Sequence, residues 1–366
     1  MRRFPAHLLI LPVMLVGLPL LGAWLFLTRP LGVYFDFPPS PGLVSHAPFS
    51  WPVFIGLAAL IAACAAPFVS RAVSVLRQGV MPAPAVPARA FPAWGWLGVL
   101  ICATAWILAW TRFEWLAGFQ PYTFPFLWIG FILAVNALAV RRAGTCLLVQ
   151  KPVFFLALFP ASAVFWWFFE YLNRFVLNWY YINVDMFAPW EYIVYASICF
   201  ATVLPGVLSV AALLRTFSFF ERAYADFIPI RPAAPRGWAA AVLVIAAAGL
   251  FFLGLLPNLL FPLLWVSPLL IIVCLQVIAG QQTILAPIRQ GDWHRAVCFA
   301  AAALVCGFFW EMWNYWSMAK WEYSIPFVHA FQVFEMPVLG YAGYLPFGLE
   351  CAVVGDILQK ACLKRK

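Results

Sequence analysis

Apolar runs of about 20 residues, the length at which a helix crosses a hydrocarbon layer, recur ten times along the chain. Short polar or proline-rich stretches separate them. The approximate spans are 8–27, 52–70, 91–110, 122–140, 153–172, 191–214, 237–257, 260–280, 297–316 and 336–357. The pattern predicts an all-α, polytopic membrane helix bundle with about ten transmembrane helices. The first run follows Met1-Arg2-Arg3, is flanked by proline and has no small-x-small cleavage signal, so it reads as a helix and not as a signal peptide. The break at Pro257-Asn258 is the least distinct boundary.

Two proline- and alanine-bearing stretches, 77–92 and 216–236, read as extended linkers, each leading into a unit of four helices. Those units resemble one another. Phe124-Pro125-Phe126-Leu127-Trp128 matches Phe261-Pro262-Leu263-Leu264-Trp265, and Trp167-Phe168-Phe169-Glu170 with Asn173 matches Phe308-Phe309-Trp310-Glu311 with Asn314. Trp179-Tyr180-Tyr181 then matches Trp321-Glu322-Tyr323, and Leu204-Pro205 matches Leu345-Pro346, all at nearly constant spacing. The organisation expected is an N-terminal hairpin with linker (1–90), a first four-helix repeat (91–232) and a second (233–366). Four helices return the chain to its starting side, so the tandem copies are parallel, related by an axis along the membrane normal.

Composition agrees with lipid as the main solvent. The chain is 66% hydrophobic and 10% charged, with a mean hydropathy of +0.94, whereas a soluble domain is about a quarter charged. The net charge of +9 would point to nucleic acid in a soluble protein, but here its distribution reports orientation. Of the 22 Lys and Arg, 18 fall on one side of the expected membrane when the N-terminus is placed inside. Only Arg29, Arg112, Arg174 and Lys320 lie opposite. Both termini are therefore expected in the cytoplasm, and the short loops fit a bacterial inner membrane. The nine cysteines have no CxxC spacing and read as small packing residues.

Candidate chemistry gathers in 308–350, where Glu311, Glu322, Glu335 and Glu350 sit among Trp and Tyr. An ionisable group at membrane depth is costly and marks a site by default. Glu170 and Asn173 share a helix face, as do Glu311 and Asn314. Each pair precedes a W-x-Y stretch and a further carboxylate, Glu191 or Glu335. Paired acids with restricted water can share a proton and serve as general acid and base. The expected catalytic set is Glu170, Glu191, Glu311 and Glu335. The expected substrate contacts are Asn173, Asn314, Trp179, Tyr181, Trp310, Trp321, Tyr323 and His329. The blander readings are an interfacial aromatic belt, hydrated glutamates at helix ends, and Glu191 and Glu335 placed for the helix dipole alone. Glu350 is the deepest acid, facing the bundle interior or marking a misplaced tenth helix. HxxH, ExxH, Walker, GxSxG and Asp-rich diphosphate motifs are absent, so no metal or cofactor is expected and ATP coupling is disfavoured.

The order of Trp310-Glu311, Trp321-Glu322-Tyr323 and Phe334-Glu335-Met336-Pro337 resembles the membrane-embedded lycopene cyclase domain of carotenoid biosynthesis. That family places W-D, then W-x-Y, then P-x-E-E opening the next helix. The first copy offers Glu170, Trp179-Tyr180-Tyr181 and Pro189-Trp190-Glu191. Glu stands here where the family has Asp, and the P-x-E-E element is altered in both copies. The resemblance implies acid-initiated cyclisation or isomerisation of an isoprenoid, its cation stabilised by aromatic faces. The leading expectation is a membrane enzyme acting on an isoprenoid or other apolar lipid. One alternative is a secondary transporter or carrier using the same acids to bind a cation, proton or amine. Another is a structural membrane subunit. The expected partner is a membrane lipid, not nucleic acid, with a homo-oligomer or a membrane partner left open.

Overall fold

The computed structural model of the chain describes residues 10–26, 29–36, 46–79 and 89–363. Arg2, Arg3, His7, the middle of the first linker and the last three residues lie outside them. The ten principal helices are α1 (Ile10–Leu25), α2 (Trp51–Arg77), α3 (Ala93–Trp110), α4 (Thr123–Ala143), α5 (Pro152–Val176), α6 (Pro189–Leu214), α7 (Pro235–Phe251), α8 (Leu263–Ile278), α9 (His294–Tyr315) and α10 (Tyr344–Leu363). Seven of these, counting the 3-10 turns that lead into α4 and α10, are long and apolar enough to cross a membrane. The exceptions α1, α7 and α8 are shorter apolar helices. Four short strands complete the set: β1 (Trp179–Ile182), β2 (Lys320–Tyr323), β3 (Gln332–Val333) and β4 (Met336–Pro337).

The core is aromatic and aliphatic, with Trp128, Phe169, Trp313 and Phe347 fully buried. Helix α3 packs on α4 and α7 on α8, while α4 packs on α6 and α8 on α10. Helix α5 packs on α6, α9 on α10, and the two sets meet where α6 crosses α9 and α10 crosses α5.

Local chemistry sets the helix ends that matter for the site. Lys151 leads into α5 with Pro152 at the first helical position, where the missing N–H costs nothing. At the other end Leu177 takes the left-handed conformation (φ 55) and its N–H closes on Asn173 O at 2.6 Å. A non-glycine residue there is strained, and the turn it makes directs the chain into β1. Helix α6 is interrupted at Ala201-Thr202. Ser162 of α5 bridges the break, its Oγ donating to Phe200 O (2.6 Å) and accepting from Leu204 N–H (2.9 Å).

Three boundaries differ from the sequence pattern. Helix α2 runs on to Arg77, because the face holding Phe68, Arg71 and Val75 packs on the short helix Ser218–Tyr224. That short helix lies within the second expected linker, whose later part is tied by Phe227 N–H to Gly291 O and Ile230 N–H to Ile288 O. The tenth helix begins at Tyr344, not near 336. Residues 336–343 form β4 and 3-10 turns, since Pro337 and Gly340 interrupt an otherwise apolar run.

Candidate functional site

The two Glu-Asn pairs occupy corresponding places at the ends of α5 and α9. Each asparagine clasps the strand that follows. Asn173 Nδ2 donates to Trp179 O (2.8 Å) and its Oδ1 accepts from Asn178 N–H (2.8 Å). Asn314 Nδ2 donates to Trp321 O (2.7 Å) and its Oδ1 accepts from Trp321 N–H (2.9 Å). Both were expected to touch a ligand, but their amides instead satisfy strand backbone, which a buried, irregular chain end requires.

The clasp fixes the strands. β1 and β2 pair antiparallel in the register Trp179↔Tyr323, Tyr180↔Glu322, Tyr181↔Trp321 and Ile182↔Lys320. Side chains two apart on a strand share a face, so Trp179 goes with Tyr181 and Trp321 with Tyr323. Tyr181 O–H donates to Glu170 Oε1 (2.6 Å), as do the indole N–H groups of Trp166 and Trp179 (3.0 Å each). Glu311 Oε1 accepts from Tyr323 O–H (2.7 Å) and Tyr344 O–H (2.6 Å), and Trp321 Nε1–H donates to Tyr323 Oη at 2.9 Å. Glu311 is fully buried and its Oε2 has no partner among the described residues.

These aromatic donors stand between the carboxylates and one cavity of about 410 Å³. The volume is in the range of small-molecule sites, and the walls are mostly aromatic and aliphatic. Trp166, Trp179 and Tyr181 line it from one half of the chain, and Trp310, Trp321 and Tyr323 from the other. Burial first, and the adjacent carboxylate next, hold the phenols of Tyr181 and Tyr323 well above the usual tyrosine range. They remain protonated donors across physiological pH.

The other expected site residues lie at the rim or apart. Glu335 sits in the turn between β3 and β4, not at a helix start, and pairs with Lys320 Nζ at 2.5 Å. Lys320 lines the cavity and also faces Glu322 at 3.5 Å. Glu191 Oε2 accepts from Ala188 N–H (2.8 Å), capping its own helix. His329 is exposed and lies 3.0 Å from Gln332 Nε2, with partial desolvation lowering its pKa below the usual histidine value. Glu350 faces the bundle interior, its Oε1 accepting from Leu269 N–H (3.0 Å), one residue past Pro268 of α8. The tenth helix is displaced as well, so both readings of this acid hold.

Two donors were missed from the sequence. Trp166 lies one helical turn before Glu170, a spacing that does place it on the same face. Tyr344 is 33 residues beyond Glu311, across the displaced start of α10, and no local pattern marks it. Among the described residues no group of three or more His, Cys, Asp or Glu could hold a metal ion. No protein-family model, curated protein or solved structure matches the chain. Its helices, long and apolar enough to cross a membrane, make it a candidate multi-pass membrane protein.

Proposed function

We propose that the chain is an integral membrane enzyme that performs carboxylate acid/base chemistry on an isoprenoid or other apolar lipid held in the aromatic cavity. The observation that carries this is the pair of Tyr-Glu units. Tyr181 with Glu170 and Tyr323 with Glu311 each put a phenol on the cavity wall and a buried carboxylate behind it. Glu311, hydrogen-bonded among the described residues through Oε1 alone, is the acid of the pair, since a proton on Oε2 leaves Oε1 free for both phenols. Tyr323 turns its O–H to a ligand double bond and protonates it, and is reprotonated by Glu311 once the carboxyl brings its proton round to the phenol. The cation rests against the indole faces and loses a proton to Tyr181 as Tyr181 passes its own to Glu170; that proton returns from Glu170 to Glu311 before the next turnover, so none is consumed overall. Cyclisation or isomerisation is the reaction class that the lycopene-cyclase resemblance implies.

The same reading takes the chain as about ten transmembrane helices, with tandem parallel repeats after an N-terminal hairpin. Two features support it. Exchanging each β1 residue for its sequence match in β2 turns the pair Trp179↔Tyr323 into Trp321↔Tyr181, so the ladder is its own two-fold mate. Trp128 packs on Trp310 with ring centres 4.9 Å apart, and Trp265 packs on Phe169 at 5.2 Å, so each copy's F-P-x-L-W tryptophan meets the residue before the other copy's glutamate. A bacterial inner membrane with both termini cytoplasmic completes the proposal.

The test is product analysis after incubating the protein, in lipid nanodiscs, with a panel of acyclic polyenes and prenols. Glu311→Gln and Tyr323→Phe should each cut turnover at least 100-fold with the melting curve preserved. Unchanged turnover in a folded Glu311→Gln protein sinks the mechanism.

A further inference from the structure

Helix α2 lies outside both four-helix units, yet it completes the cavity. Its inward face is spaced three and four residues apart and includes Phe54, Leu57 and Ile61. Both ends are tied to the bundle. At one, Ser50 N–H donates to Phe327 O (2.9 Å), and the rings of Trp51 and Phe54 pack on Phe331. At the other, Arg71 Nε donates to Ala223 O (3.0 Å) and Tyr224 O–H to Phe68 O (2.9 Å). Between the ties the helix is only lightly covered, with 0% of its most apolar window buried.

Leu57, Leu60 and Ile61 line the cavity from this middle stretch. Leu60 is 59% exposed, whereas every other lining residue is buried or half-buried. A residue that both lines a cavity and faces outward marks the place where the cavity reaches the surface. Leu60 lies nine residues beyond Trp51, about 13 Å along a helix that rises 1.5 Å per residue. At that depth the surroundings of a membrane-spanning helix are acyl chains. On another side the cavity is bordered by the β1–β2 ladder and the Lys320–Glu335 pair, an ordered polar seam that an apolar chain would have to break.

We propose that the ligand enters sideways from the bilayer past Leu60, and that Leu57, Leu60 and Ile61 form the wall that decides what fits. This rests on the reading of the cavity as a lipid site, and gives helix α2 a role in it. The wall is apolar and borders lipid, so it selects on length and bulk. A larger side chain at Leu60 narrows the entrance without crowding the protein core.

The test is photolabelling in phosphatidylcholine nanodiscs with an uncharged diazirine-bearing farnesol, followed by mapping of the adducts. Adducts are expected at 57–61 and at 321–323. Leu60→Trp should lower those at 321–323 at least tenfold, with Leu60→Phe as a milder step should the larger residue impair folding. Leu76→Trp, on the same helix at a position 62% exposed and away from the lining, should leave them unchanged. Undiminished labelling at 321–323 in folded Leu60→Trp and Leu60→Phe proteins overturns the α2 entrance while leaving the lipid cavity standing. Labelling confined to residues outside the cavity overturns both.

Discussion

Glu170 and Glu311 hold matching places but are completed differently. Glu170 Oε1 collects two indoles and a phenol, whereas Glu311 Oε1 collects two phenols. Tyr344→Phe therefore removes half of the donors to Glu311 and none to Glu170, and its effect on turnover should follow that of Tyr323→Phe. Asn173→Ala should destabilise the fold by about 2 kcal/mol, because a buried strand carbonyl and N–H lose their partner. Unfolding in a mixed-micelle denaturant series would measure it. The two wall phenols also give a pH signature. Their folded pKa values lie above the unfolded value, so their contribution to stability is complete below the ordinary phenol pKa and is lost as pH rises through the folded values. An ultraviolet titration should find Tyr181 and Tyr323 ionising after the accessible tyrosines. At this scale the three-residue Glu-Asn spacing was legible because helix geometry makes it so. What the asparagines bind was not, since their partners are backbone groups of a turn that only the folded chain creates.

Among the elements, those with long apolar runs were readable because lipid depth imposes a minimum length. The strands were not. Trp179-Tyr180-Tyr181 and Trp321-Glu322-Tyr323 stand out as motifs, but four-residue strands carry too little alternation to announce themselves, and their pairing is long-range. The start of α10 was misplaced for another reason: residues 336–343 are apolar enough for a helix, yet Pro337 and Gly340 leave them as a strand and 3-10 turns. Glu335 consequently belongs to a hairpin beside Lys320. The break in α6 yields a sharper expectation. Ser162→Ala removes the one side chain seen bridging Phe200 O and Leu204 N–H, and should cost about 2 kcal/mol while displacing Phe200 and Val203 from the cavity wall. A fall in thermal stability together with altered tryptophan emission would report both effects.

For the molecule as a whole, the join between the halves matters as much as the halves. Hydrogen bonds at one face cross between them at several points: the ladder itself, Asn183 Nδ2 to Met318 O (2.9 Å), and Arg112 Nη2 to Trp316 O (2.6 Å). Cysteines at the paired positions 180 and 322 should form a disulfide without loss of turnover, and equal activity before and after reduction would show it. A machine that shows its site first to one compartment and then to the other must swing its halves apart at each face in turn. A ladder stitched across one face works as a strap against that swing. On the proposed reading, traffic runs within the plane of the membrane, and the reaction proceeds with the scaffold standing still.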